Sequence, residues 1–321
     1  MKGYNAQETA TAIKAMWDEF NRPVALSLDA SRFDQHVSED ALRWEHSVYN
    51  AVYKSPELGG LLRWQLQNRG YVRCKDGSFT YTVRGCRMSG DMNTALGNCL
   101  LMCAMVWAYA QHVGVRIRLA NNGDDCSVFM EEGDLAKFVC GMDSWFLDMG
   151  FTLTSEGVAR VLEHVDFCQT RPVQTARGWV MCRSPRLGMA KDTLNKHPDM
   201  GRPLRGYLRW MYQVGQAGLA LTDGVPVFHA SYAAMVRTGT PCKRAQGFGR
   251  METGFEHMAA RLKNEDTPIT QAARVSFWRA WGITPDEQIA LESGFHNLEA
   301  PTTVRPLMTW GDSLGIWMRQ E

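Results

Sequence analysis

The sequence predicts an α+β fold in which a small antiparallel sheet is backed by helices and followed by a mostly helical last third. Short apolar runs typical of strands are interspersed with helical segments, without the regularity of repeated β-α-β units. An Asn-Gly pair between two apolar-leaning runs in residues 119–129 indicates a β-hairpin. Beyond about Asn195 the spacing of apolar residues is mainly helical.

The composition is that of an ordinary globular chain. It has 321 residues, 45% hydrophobic and 21% charged, with a net charge of +1, which fits one large domain or two modest ones without an overall basic field for nucleic acid. Nine cysteines without a Cys-x-x-Cys pair indicate reduced thiols in a cytosolic protein. The first residues lack the apolar core of a signal peptide, and the longest apolar run, 99–110, is too short to span a bilayer.

Local signals place the elements of the first two thirds. Asn5 followed by Glu8 predicts a helix start, and Pro23 ends that helix. Ser38 is predicted to cap the helix that follows the first strand. In chain order we expect a strand over 24–28, helices from 38 and over 61–67, a hairpin over 71–83, a helix over 91–112, the Asn-Gly hairpin, a helix over 133–149, a strand over 151–154, and a hairpin turning at 174–177.

The last third is predicted to be helical. Residues 204–221 have helical spacing, and Thr267–Thr270 precedes a helix that carries Phe277 and Trp281. Thr284 with Glu287 forms a capping box, with proline at the first helical position.

Three carboxylates end predicted strands. Asp29 follows the buried strand 24–28, while Asp124 and Asp125 follow the Asn-Gly turn and, by strand alternation, point to opposite faces. A solvated turn would explain the pair, because Asp is a common turn residue. Carboxylates without His or Cys favour Mg²⁺, however, and a two-metal site for phosphoryl transfer uses such groups.

Residues 89–98 form a second candidate site. Thr94 and Asn98 share one face of a predicted helix, Gly97 keeps that face shallow, and the Ser89-Gly90 loop precedes the helix N-terminus, where a phosphate or ribose binds readily. A helix cap with a polar surface explains these residues equally well.

In order and spacing, these segments resemble motifs A, B and C of viral RNA-dependent RNA polymerases. The matching strings are Asp29-x-x-x-x-Asp34, Ser89-Gly-x-x-x-Thr94-x-x-x-Asn98 and Gly123-Asp124-Asp125. The fuller strings resemble the tombusvirus-like group of positive-strand RNA viruses, and residues 165–172 resemble that group's motif E, the primer-grip hairpin.

The resemblance implies a right-hand polymerase. Residues 1–194 would form the palm, an RRM-like sheet backed by helices, with part of the fingers, and residues 195–321 the helical thumb. Asp29 and Asp124 would be the principal ligands of Mg²⁺, with Mn²⁺ as an alternative ion, and Asp125 an auxiliary ligand. The reaction would join a ribonucleoside triphosphate to an RNA 3′-hydroxyl.

The resemblance also implies nucleotide and RNA contacts. Asp34 and Asn98 would bind the ribose 2′-hydroxyl, Thr94 would support Asp34, and Ser89 with Gly90 would form a mobile loop. The expected RNA contacts are Arg87, Cys168, Arg171, Arg183 and Lys191. A solvated edge is the alternative for the basic residues around the motif E hairpin.

Two departures from the family pattern affect the expected partners. Family members carry a fingers region before the point at which this chain begins, and no Lys occurs in residues 151–156 to act as general acid. We therefore expect RNA template, nascent RNA, nucleoside triphosphates, and a fingers region or another viral replication protein supplied elsewhere. The expected location is the host cytoplasm, with recruitment to replication membranes by another viral protein.

Three other functions are compatible with parts of the sequence. One is an RNA-binding or assembly module that is inactive alone. A reverse transcriptase is disfavoured by Asn98 at the ribose position and by the Gly before the Asp pair. A two-metal nuclease would use the carboxylates but has no need of the Thr94–Asn98 face.

Overall fold

The computed structural model describes residues 1–194, 204–242, 258–259 and 261–300. The chain forms two compact units. The first comprises Met1–Lys2 and Ile13–Cys168, and the second comprises Gly3–Ala12 and Gln169–Glu321. This boundary precedes the predicted domain boundary at 194/195, and the assignment of palm and thumb to the two parts stays a prediction.

The first unit contains most of the strands. Its elements, together with the first helix, which the two units share, are α1 Ala6–Trp17, β1 Pro23–Ala30, α2 Phe33–His36, α3 Glu39–Tyr53, α4 Pro56–Trp64, β2 Gln67–Cys74, β3 Gly77–Arg84, α5 Thr94–Val113, β4 Arg118–Asn122, β5 Asp125–Glu131, α6 Leu135–Val139, α7 Met142–Asp148 and β6 Leu153–Ala159.

A four-stranded antiparallel sheet organises this unit. Its strand order is β4-β5-β1-β6, so the first strand in the chain lies at the centre. The apolar face of the sheet packs against α5: Leu26 and Val128 lie in one buried cluster with Met102 and Val106. Alternation along the strands leaves the residues between these on the opposite face. A separate hairpin is formed by β2 and β3.

The second unit is built on a hairpin and helices. Its elements after residue 169 are β7 Thr170–Thr175, β8 Gly178–Arg183, α8 Pro185–Asp192, α9 Leu204–Leu221, α10 Phe228–Thr238, α11 Gln271–Trp281 and α12 Pro285–His296. Val173 of β7 and Val180 of β8 share a buried cluster with Val214, Phe228 and Phe277 of the helices. The predicted mixed architecture, a small antiparallel sheet with many helices, is confirmed.

Several local predictions are confirmed because their signals are local. The Asn5 and Thr284 capping boxes are both formed, and the Ser38 side chain accepts from the backbone N–H of Ala41. Proline at the first position of α12 is also found.

Other predictions need correction. The helix predicted over 61–67 is α4, which begins earlier, at Pro56, because Ser55 accepts from the Leu58 N–H and Pro56 occupies the first turn. The helix predicted over 133–149 is divided at Gly141, whose φ of 84° interrupts it. Helices α8 and α10 were missed by the sequence prediction.

Candidate active site

The carboxylate hairpin turns one residue later than predicted. Asn122 pairs with Asp125, so Gly123 and Asp124 are the two central residues of the turn. Only the first of them has a positive φ, 97° at Gly123, which matches a type II′ turn. Asn121 stabilises the turn, because its buried side-chain amide donates to the Gly123 carbonyl at 2.8 Å.

Asp29 and Asp125 lie on the same face of the sheet. Ser27 is the register partner of Ser127, and both hydroxyls donate to the Asp166 carbonyl, at 2.9 and 3.0 Å. Asp29 is two residues after Ser27, and Asp125 is two residues before Ser127, so alternation directs both carboxylates to the face on which Asp166 lies. Asp124 is in the turn at the end of the hairpin rather than on a strand.

The carboxylates at the hairpin tip repel one another. Partial burial raises the pKa of Asp125, and the negative charges of Asp124, Asp29 and Asp166 raise it further. Within the described part of the chain, no hydrogen-bond donor or basic side chain contacts the carboxylates of Asp29 or Asp124. Like charges held together in this way are costly unless a cation joins them.

This donor set fits a hard divalent cation. All of the acidic groups offer oxygen ligands, which Mg²⁺ prefers. No three His, Cys, Asp or Glu side chains of the described residues are arranged to hold one ion as they stand. Magnesium needs only one or two protein carboxylates, because water and substrate phosphates complete its coordination. Asp166 is a fourth carboxylate that the sequence prediction did not include.

Cys168 is part of the hairpin's support. Its sulfur accepts from the Asn122 amide at 3.1 Å, and the thiol also hydrogen-bonds to Asp125. Burial raises the pKa of Cys168 to about 11, so the thiol is protonated at neutral pH and can donate to the carboxylate. The predicted RNA contact of this half-buried residue stays a prediction.

The predicted ribose-binding residues are brought together. The Asn98 amide donates to Asp34 Oδ1 at 2.7 Å, and the Ser89 hydroxyl donates to Asp34 Oδ2 at 2.6 Å. Residue 123 lies beside them, since a Cβ on Gly123 would be 4.0 Å from the Asn98 Cβ. The hairpin tip, α5 and the segment around Asp34 therefore meet at one place.

The support of Asp34 by Thr94 stays a prediction. The Thr94 hydroxyl donates to the Met88 carbonyl at 2.8 Å. Ser89 and Asn98 donate to Asp34. Gly90 is exposed in the loop before α5, with open space where a side chain would be.

The structure places Arg87, a predicted RNA contact, in the protein interior. Its side chain is fully buried and pairs with Glu45, which is fully buried as well. The sequence signal, an arginine in a glycine-containing loop, did not reveal this because Glu45 is remote in the chain and lies on α3.

The remaining basic candidates lie in the second unit. Arg171 donates to the Ala280 carbonyl at 2.8 Å, and its guanidinium lies 4.9 Å from the centre of the Trp281 ring. Arg183 is ion-paired with Asp192. Lys191 is exposed near the end of α8. Arg171 and Arg183 thus have structural contacts, and RNA binding by all three stays a prediction.

The amino-acid sequence is similar to known viral proteins. The model of a family described as viral RNA-dependent RNA polymerase matches residues 1–303. This chain belongs to that family. RNA-directed RNA polymerases of oat chlorotic stunt virus and turnip crinkle virus are 44% and 41% identical to it, over 94% and 93% of this chain. The enzyme of tomato bushy stunt virus is 42% identical over 93% of the chain.

The polymerase relatives are longer than this chain. The matched part covers 42%, 38% and 36% of the three relatives named above, so the chain spans less than half the length of each. The resemblance to the tombusvirus-like group is confirmed by these matches. In the described residues no helix is both long and apolar enough to cross a membrane.

Proposed function

We propose that this chain carries the catalytic centre for template-directed RNA synthesis. It transfers a nucleoside monophosphate from a ribonucleoside triphosphate to an RNA 3′-hydroxyl and releases pyrophosphate. The observation that carries this proposal is the group of mutually repelling carboxylates at the tip of the β4–β5 hairpin, next to the Asp34–Asn98 pair. Membership of the viral polymerase family supports the same reaction.

Asp29, Asp124 and Asp125 are the groups that would hold Mg²⁺, or Mn²⁺ in its place. A pair of such ions would activate the attacking hydroxyl and stabilise the leaving oxygen. The shared face of Asp29 and Asp125 favours them as a pair on the sheet, while Asp124 reaches from the turn. The principal role given to Asp124 over Asp125 is part of the proposal.

Asp34, Asn98 and Ser89 would recognise the ribose. Asp34 uses one oxygen for Asn98 and the other for Ser89, and a carboxylate has further lone pairs for the 2′-hydroxyl of the nucleotide. A deoxynucleotide would leave these polar groups without that partner, which is a strong basis for discrimination. The mobile-loop role of Gly90 with Ser89, and a further supporting role for Thr94, belong to the proposal too.

The wider architecture of the proposal is a palm followed by a helical thumb. The central sheet with β1 and β5 would be the floor of the palm, and the helices of the last third would form the thumb. Arg171, Arg183 and Lys191 would contact the RNA backbone through their positive charges. Template RNA and nucleoside triphosphates are then the substrates.

A second candidate function is an RNA-binding or assembly role that needs a further protein segment for activity. It is favoured by the fact that the chain spans 42% or less of the named relatives. A fingers region or another replication protein would be that partner. Location in the host cytoplasm at replication membranes, through another viral protein, belongs to the same proposal.

The experiment is Mg²⁺-dependent incorporation of ribonucleotides on a primed RNA template. We expect Asp124→Asn to lower incorporation by at least about a hundredfold, as loss of a metal ligand should. Asp76→Asn is the matched control, since Asp76 is exposed in the turn of the β2–β3 hairpin. Retained incorporation by Asp124→Asn would refute the metal assignment. RNA binding without incorporation by the unaltered chain would favour the second function.

A further inference from the structure

A buried ion pair lies directly behind the Asp34–Asn98 pair. The side chains of Arg87 and Glu45 are each 0% exposed. Arg87 donates from Nη1 to Glu45 Oε1 at 3.2 Å and from Nη2 to Oε2, which gives a two-pronged contact. The third donor of the guanidinium, Nε, faces Asn98 Oδ1 at 3.1 Å.

This third bond fixes which way the Asn98 amide points. With Nε–H directed at Oδ1, the NH₂ group of Asn98 faces Asp34. If the amide were reversed, two donors would face each other at Arg87 and two acceptors would face each other at Asp34. Arg87 therefore selects the orientation in which Asn98 donates to Asp34. The backbone N–H of Arg87 also donates to the Asp34 carbonyl at 2.8 Å.

Glu45 in turn holds the guanidinium in place. Its Oε1 accepts from the Tyr49 hydroxyl at 2.8 Å and from the Asn93 amide at 2.9 Å. Gly97 of α5 packs directly against the ion pair, because a Cβ at this position would overlap both Arg87 Nη2 and Glu45 Oε1. The guanidinium is thus confined by Glu45, Asn98 and Gly97.

A buried ion pair is weak as a source of stability. Replacing such a pair with apolar side chains of similar volume is often neutral or favourable, because two charges must be removed from water. The geometry of this pair, in contrast, has a clear consequence, since it orders a polar amide beside the hairpin tip. Conformational specificity explains the pair better than stability does.

We infer that Arg87 and Glu45 are positioning residues for sugar selection: through Asn98 they orient Asp34 and so favour ribonucleotides over deoxynucleotides. Neither side chain would touch the nucleotide. This inference rests on the proposed function, because it assigns the ribose to Asp34 and Asn98.

The decisive variant is Arg87→Lys. Lysine keeps the positive charge for Glu45 but has no second donor on its stem for Asn98. We expect the ratio of kcat/KM for a ribonucleotide over the matching deoxynucleotide to fall by about tenfold, the size of one hydrogen bond to a charged group. The loss should be in the ribonucleotide KM, with deoxynucleotide kinetics unchanged. Arg116→Lys is the control, since Arg116 pairs with Glu19 on the surface.

Two results would overturn the inference. One is an equal loss for both sugars, which a merely structural role produces. The other is additivity of Arg87→Lys with Asn98→Ala, because residues that act through one contact should be non-additive.

A readout without catalysis separates this inference from the proposed function. The side-chain amide signals of Asn98 in a ¹⁵N NMR spectrum are identified by their loss in Asn98→Ala. Because both ends of the amide are bonded, we expect slow exchange with solvent in the unaltered chain and faster exchange with shifted signals in Arg87→Lys. Unchanged signals would refute the positioning role even if the chain alone incorporates no nucleotide. Changed signals in an inactive chain would support the positioning role and count against the proposed activity of the chain alone.

Discussion

Two groups of charges in the first unit are built in opposite ways. At the tip of the β4–β5 hairpin several carboxylates lie close together, and burial together with their repulsion raises the pKa of Asp125. Between α3 and α5, Glu45 is completely buried, yet Arg87, Tyr49 and Asn93 all donate to it. Within the residues that the structure describes, the carboxylates of Asp29 and Asp124 have no basic partner, whereas Glu45 is paired with Arg87 and accepts two further hydrogen bonds.

The difference separates binding from positioning. Charges that are left unsatisfied in the protein gain energy when a ligand of opposite charge arrives, and this is typical of functional sites. Charges that are fully satisfied gain nothing from a ligand, but they hold their neighbours rigidly. The hairpin tip is thus suited to a cation, and the Arg87–Glu45 pair is suited to order Asn98 beside it.

The largest effect on stability is expected when the buried Glu45–Arg87 ion pair is broken. Glu45→Gln removes one charge and leaves Arg87 buried without a counter-ion, which should lower the free energy of unfolding by about 3–5 kcal/mol. Glu39→Gln is the control, because Glu39 pairs with Arg43 and Arg84 at an exposed site, where the loss should stay below about 1 kcal/mol. Denaturant unfolding followed by circular dichroism measures both. Similar losses for the two variants would show that the buried pair has no special place in the fold.

A smaller loss of stability is expected from overpacking against the same ion pair. Gly97→Ala would place a methyl group on Arg87 and Glu45, and overpacking of this kind costs about 1–3 kcal/mol. Gly294 in α12 is a matched helical glycine with open space around its Cα, so Gly294→Ala should raise stability by up to about 1 kcal/mol through helix propensity. Thermal unfolding distinguishes the two directions. A stabilising Gly97→Ala would mean that the ion pair moves aside readily.

The sequence predicts what depends on near neighbours. The capping boxes at Asn5 and Thr284, the central strand and the carboxylate hairpin all follow from residues within a few positions of one another. The turn of that hairpin differs by one residue, because Asn122 ends β4 and pairs with Asp125 rather than lying within the turn. Gly141 was a visible signal for the break between α6 and α7 that the prediction did not use.

The sequence does not predict which charges are neutralised. Glu45 and Arg87 are 42 residues apart, and nothing local to either residue indicates that they meet. The resemblance to polymerases predicts an RNA contact for Arg87 and gives no sign that its side chain is buried. Asp166 was missed for a related reason, since its backbone carbonyl accepts hydrogen bonds from Ser27 and Ser127, which are remote from it in the chain.

The smallest expected effects are those of pH on stability, and they have opposite signs for Asp125 and Asp223. Asp125 has a raised pKa, so the folded state loses stability as pH rises from the ordinary aspartate value through the raised one. Burial acts to raise the pKa of Asp223 in the second unit, but hydrogen bonds from Thr267 and an ion pair with Arg177 hold it below the ordinary value. Its contribution is present above the ordinary pKa and is lost as pH falls through the lowered one.

Replacing each with asparagine tests this contrast. At neutral pH and without divalent ions, Asp223→Asn should destabilise the protein by about 1 kcal/mol. Asp125→Asn should stabilise it by a few tenths of a kcal/mol, because the exposed tip is screened by solvent. The Asp125 difference should disappear as pH falls to the ordinary aspartate pKa, about 4, whereas the Asp223 difference should shrink only below that value, as pH falls through its lowered pKa. Unfolding midpoints measured across pH decide the matter. If Asp125→Asn instead destabilises the fold at neutral pH, the hairpin tip is not held against repulsion, and the distinction between its acidic group and the buried Glu45–Arg87 pair would lose its main electrostatic support.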